Sequence, residues 1–140
     1  MKRIGIWVIC LVVLLSLSGC AASGEKRVLA CYERHMDELK ADMVSHFENG
    51  EPLSFSVPGV TVNEWPGEHT IVEYIVTGAG LNAQYAGFFY SRDDVPASFQ
   101  NAGETLSALC DGEWEWCGEG DNRGYVRRIE PNWFYFEANF

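Results

Sequence analysis

The pattern of hydrophobic and polar positions changes its period once along this chain. Over residues 25–48 the apolar residues Leu29, Tyr32, Met36, Leu39, Met43 and Phe47 recur at three- and four-residue steps. That spacing lays one stripe along an α-helix, with Glu33, Arg34, Asp37, Lys40 and Asp42 outside it. Ser23 or Gly24 is the expected N-cap, and Asn49-Gly50 followed by Pro52 is the expected stop. From Leu53 the period becomes two. Leu53-Ser54-Phe55-Ser56-Val57 alternates and predicts a strand, turned by Pro58-Gly59 and continuing over residues 60–62. Residues 63–68 carry Pro and Gly and predict a loop. Residues 69–77 are β-branched and aromatic and give the strongest strand signal; residues 78–82 are its hairpin loop and 83–90 its return strand. Asp94 is the expected cap of a short segment of helix or 3₁₀ helix over 95–101, where Pro96 fits a first turn. Strands follow at 106–109 and 113–117. After a turn-rich loop over 118–124, a last hairpin joins 125–129 to 133–139.

Strands joined by short loops pair antiparallel. The expected fold is therefore α+β: one domain over 25–140, with a long N-terminal helix packed on an antiparallel meander sheet of five to seven strands. On 113–117, Trp114 and Trp116 share a face. On 133–140, Trp133 and Tyr135 point one way, Phe134 and Phe136 the other. One helix covers only one face. Either the sheet curls and buries both, or one face exposes rings, and Trp114, Trp116, Trp133 and Tyr135 are then a candidate binding surface for a glycan or a protein.

Ahead of the helix lies a different pattern. Lys2 and Arg3 precede an uncharged, mostly apolar run over residues 4–17, shorter than the roughly 20 apolar residues that span a bilayer. The run ends in Leu17-Ser18-Gly19-Cys20. In this leader, and only there, the chain resembles bacterial lipoproteins. The resemblance implies a signal peptide over residues 1–19, removed before a Cys20 that carries a lipid. Residues 20–24 are then the lipidated cysteine and a short tether. Two acyl chains at about 0.8 kcal/mol per buried CH₂ make a stable anchor. The expected location is a membrane surface on its extracellular or periplasmic side.

The leader changes the charge count. The whole chain has ten basic and twenty acidic residues; without Lys2 and Arg3 the net charge is −12. Such a surface disfavours nucleic acid, and favours a basic partner or simply solubility. The leader also changes the thiol count. With Cys10 and Cys20 set aside, Cys31, Cys110 and Cys117 remain, so at most one internal bridge forms. Cys110 with Cys117 is one candidate, and Cys31 with either of them is another. A two-residue hairpin at Asp111-Gly112 would place Cys110 opposite Glu113 and exclude the first.

Motifs for chemistry are sparse. Gly78-Ala79-Gly80-Leu81-Asn82-Ala83 fits G-x-G-x-x-A, but a strand follows it where a dinucleotide site needs a helix, so no cofactor is expected. Glu119, Asp121 and Asn122 are a weak candidate cation site, since Arg123 stands where an EF-hand loop needs a ligand oxygen. Asp93-Asp94 reads as a helix cap beside a solvated charge rather than an acid/base pair. His35, His46 and His69 show no zinc spacing, and no nucleophile motif occurs. The expected function is a lipid-anchored, non-catalytic module that binds a protein or peptide. The alternatives are a cell-envelope carbohydrate binder and a small envelope enzyme.

Overall fold

A computed structural model describes residues 4–78 and 84–140, with side chains from Gly24 onward. One helix, α1 (Ile4–Asn49), precedes seven strands: β1 (Thr61–Trp65), β2 (Ile71–Thr77), β3 (Gln84–Ser91), β4 (Leu106–Cys110), β5 (Glu113–Cys117), β6 (Arg123–Glu130) and β7 (Trp133–Asn139). All neighbours pair antiparallel, in the order β1-β2-β3-β7-β6-β5-β4. The α+β fold is as expected. Its meander comes in two runs, β1 to β3 and β4 to β7, which meet where β3 pairs with β7. Residues 92–105 carry the chain from the middle of the sheet to its far edge.

Both faces of the sheet are covered at its centre. On one, Val28, Tyr32, Leu39 and Met43 of α1 pack on Val72, Tyr74, Phe88, Trp133 and Tyr135. Tyr74 stacks on Phe88 with ring centres 4.9 Å apart, and Tyr32 meets Phe88 edge-on at 5.3 Å. On the other, residues 92–105 act as a strap. Their Ala97 and Phe99 close over Ile71, Phe89, Val126, Phe134 and Phe136, with Phe89 stacked on Phe134 at 5.0 Å. The aromatic residues of β7 are thus buried on both sides, each ring contributing about 1.5–3 kcal/mol.

The strap is held by polar fasteners. Glu73, 1% exposed, accepts the Gln100 backbone N–H at 2.9 Å and the Trp65 indole N–H at 3.2 Å. Gln100 and Asn101 sit at φ 54° and 52°, a left-handed conformation that non-glycine residues rarely adopt. The Asn101 side chain donates to the His69 carbonyl at 3.0 Å. Of the helix or 3₁₀ segment expected over 95–101, only Phe99–Asn101 forms, as a 3₁₀ turn, and these bonds explain its shortness. Asp94 caps nothing. It accepts the Asn132 backbone N–H at 2.7 Å and pairs with Arg128, tying the strap to the β6–β7 turn.

Three other expectations change. Helix α1 runs without a break through residues 21–24, where an N-cap and a flexible tether were expected. Residues 53–57 keep their alternation, with Leu53, Phe55 and Val57 turned inward, but join no strand. Asp42 on α1 takes their donors instead, accepting the Ser54 N–H at 2.8 Å, the Ser54 hydroxyl at 2.5 Å and the Phe55 N–H at 3.1 Å. Conversely, residues 63–65 pair with β2 rather than forming a loop, because register with Ile71–Glu73 and the Trp65–Glu73 bond outweigh weak local propensity. The hairpin loop expected over 78–82 falls mostly on residues 79–83, outside those described.

Candidate functional site

The four rings proposed as a surface lie on opposite faces of the sheet. Trp133 and Tyr135 are 2% and 1% exposed beneath α1, and Trp116 is 3% exposed on the strap side, with Trp114 half-buried beside Phe134. The exposed aromatic surface is therefore corrected to core: a single helix cannot cover both faces, and the strap supplies the second cover that the sequence pattern did not reveal.

What remains uncovered is the wing formed by β4 and β5. Helix α1 packs over β2 and β3. Toward β6 its polar links are Glu25 with Arg127 and both Tyr32 and Lys40 with Glu130, while Tyr125 and Ile129 of β6 pack against the core cluster that α1 shares. Beyond β6 the helix gives no cover. Strand β4 bonds only to β5, in the register Leu106 with Trp116, Ser107 with Glu115, Ala108 with Trp114 and Cys110 with Glu113. Among the described residues its outer edge has no partner strand. Residues 107–110 are exposed, Leu109 to 51%. The strand carries no charge and no proline, while Glu104, Asp111, Glu113 and Glu115 border it.

A small cleft adjoins the start of this edge. Trp116, the partner of Leu106, lays its indole over Gly124; a Cβ there would come within 2.2 Å of the ring, so only glycine fits. Beside the indole a cleft of about 90 Å³ is bounded by Phe99, Gln100, Glu104, Trp116, Asn122 and Phe140. Phe140 is 43% exposed, and its ring centre lies 5.4 Å from Phe99 and 6.2 Å from Trp116. The Trp116 indole N–H is buried and has no acceptor. Such an orphan donor costs about 1–3 kcal/mol. Phe99 and Gln100 escaped the sequence reading because their segment has no periodicity; the flanking Pro96 and Gly103 marked only a break.

The remaining candidates fall elsewhere. The Asp111-Gly112 turn forms a tight hairpin with Cys110 opposite Glu113, and Cys117 ends β5 four residues on, about 13 Å along the strand. That separation excludes a Cys110–Cys117 bridge, and Cys31, Cys110 and Cys117 are all free thiols. A hydrogen bond to Glu113 raises the Cys110 thiol above its ordinary pKa. Glu119 and Asn122 close a turn by backbone bonds, Asn122 N–H to the Glu119 carbonyl and Gly118 N–H to the Asn122 carbonyl. Among the described residues no group of three His, Cys, Asp or Glu is placed to hold a metal. Asp93 pairs with exposed His69 at 3.0 Å while Asp94 turns to Arg128, so the two carboxylates do not converge. Cys20 lies in the part of α1 whose side chains are not described, and among the described residues no helix is long and apolar enough to cross a membrane. No protein-family model, curated protein or solved structure matches this chain.

Proposed function

We propose that this chain is a lipoprotein, held by a lipid on Cys20 at the extracellular or periplasmic side of a membrane, whose domain is a non-catalytic module that takes an extended basic segment of a partner protein along β4. The observation that carries the binding reading is the bare outer edge of β4. Backbone groups on such an edge give affinity to an added strand, and a neighbouring pocket selects side chains. The Trp116 cleft lies at the start of that edge. The bordering carboxylates select a basic segment, and they oppose a second copy of this acidic chain. The register irregularity at Leu109 also disfavours copy-to-copy pairing. The rings that would stack a glycan are interior, so the exposed ground favours a protein segment over a sugar.

The test uses the full-length chain and two probes, an alternating lysine–valine peptide and its glutamate–valine counterpart. Binding of the first alone, weakened by salt and by a Glu104→Gln/Glu113→Gln/Glu115→Gln variant, is the expected result. Equal binding of both peptides, or none, contradicts it. For the anchor, Cys20→Ala should leave the domain folded and release it from membranes; retention of the variant through its body would overturn that part.

A further inference from the structure

On the opposite side of α1 from the β6 contacts, an acidic protein gathers unpaired positive charge. A groove of about 230 Å³ runs between the helix and the turn at residues 57–60. Arg27, Cys31, Arg34 and His35 form the helical wall, and Pro58 and Val76 are part of the apolar wall. Arg27 and Arg34 are seven residues apart, two turns of helix, so both guanidinium groups flank Cys31 on one side of α1. Both act electrostatically on that thiol, lowering its pKa against the larger effect of burial, which raises it. Neither arginine forms an ion pair with any described residue, whereas Lys40, Arg127 and Arg128 all do. Glu25, two residues before Arg27, holds Arg127, and Glu38, one turn beyond Arg34, holds His35; Glu33 and Asp37, nearer to Arg34 in sequence, form no ion pair with it among the described residues. The turn is closed by the Val60 N–H bonding the Val57 carbonyl, with Gly59 at φ 81°, so its backbone is set independently of the helix. Two free guanidinium groups beside an apolar wall form a receptor for a group that is anionic at one end and apolar at the other.

We infer that this groove is an anion site, distinct from the β4 edge, that takes a phosphate or carboxylate. Arginine's planar fork suits both groups through paired N–H bonds. Arg27 is seven residues from Cys20, about 10 Å of helix rise. Two sources therefore fit the chemistry: the phosphate of a phospholipid in the supporting membrane, and a free phosphate-bearing solute.

Cys31 reports on the site from inside it. In the lipidated protein without residues 1–19, carrying Cys110→Ser/Cys117→Ser, in phosphatidylcholine vesicles, alkylation of Cys31 would be followed with an anionic and a neutral thiol reagent. Two exposed arginines should favour the anionic reagent, and Arg27→Gln/Arg34→Gln should lower the anionic-to-neutral rate ratio roughly threefold to tenfold. Arg27→Lys/Arg34→Lys should keep most of that ratio, because the charge remains. Inorganic phosphate slowing alkylation at Cys31 points to the solute. Slowing only when phosphatidylglycerol replaces part of the phosphatidylcholine points to the lipid. A rate ratio unchanged in the glutamine variant, with no protection by either probe, overturns the inference.

Discussion

The sheet has two edges, and they are finished differently. Edge strand β1 carries Glu64, which pairs with His46 of α1 at 3.1 Å. Its Trp65 is tied to buried Glu73, and the Trp65 carbonyl accepts from the Asn101 side chain at 3.4 Å. Residues 53–57, fixed to Asp42, run in just ahead of it. Strand β4 has none of this among the described residues: no charge on the strand, no helix above it, no side chain from the strap bonded to its backbone. Folded proteins normally blunt an edge with charge, proline or a cover, because an open one invites another strand. One edge of this domain is fastened by side-chain hydrogen bonds and an ion pair. The other is left apolar and rimmed with carboxylates. The open edge is therefore a property of β4 and not of a fold too small to protect its margins.

The comparison predicts where substitutions act on stability and where they act on binding. The largest loss belongs to the closed side. Glu73→Ala leaves the Gln100 and Trp65 donors unpaired in the interior and should cost about 3 kcal/mol in urea unfolding. It should also open the strap to protease within residues 92–105. Asp42→Ala frees the Ser54 and Phe55 donors nearer the surface, and about 2 kcal/mol should be lost by the same measurement.

A smaller effect appears as pH dependence, with opposite signs for two carboxylates. Burial raises the Glu73 carboxyl above its ordinary pKa. Its contribution is fully present below the unfolded value and is lost as pH rises through the raised folded value. Glu130 is lowered by the Tyr32 hydroxyl and then by Lys40. Its contribution is present above the unfolded value and is lost as pH falls through the lowered folded one. Stability measured across the acid range should therefore lose one slope in Glu73→Gln and the opposite slope in Glu130→Gln. Identical profiles in the two variants would break the assignment.

The smallest stability effect belongs to the open side. Leu109→Lys removes no buried contact and should change stability by under about 0.5 kcal/mol. The same substitution places a charge on the bare edge and should abolish binding of the lysine–valine peptide. A large loss of stability here would mean that β4 is structural margin after all.

Much of this architecture is legible in the chain. The three- and four-residue steps from Leu29 to Phe47 give the helix and its buried face, and the two-residue period gives most strands. The split of Trp133 and Tyr135 from Phe134 and Phe136 gives two apolar faces on β7. What covers the second face is not legible, because Phe99 is a single apolar residue in a segment without period. Its position depends on a bond between Glu73 and Gln100, 27 residues apart. The same is true of residues 53–57, whose alternation is real but whose donors go to Asp42 across a turn. Tertiary hydrogen bonds of this kind leave no periodic trace. The candidate site was readable only in part: Trp116 was singled out as an exposed ring, and it is instead the buried wall of a cleft whose other members come from three separate segments.

The most direct test is backbone hydrogen exchange on the full-length lipidated protein in phosphatidylcholine vesicles, with and without the lysine–valine peptide. The peptide should slow exchange at the β4 amides and leave the β1 amides unchanged. Slowing at β1, or peptide binding that leaves β4 exchanging as before, would contradict binding along β4.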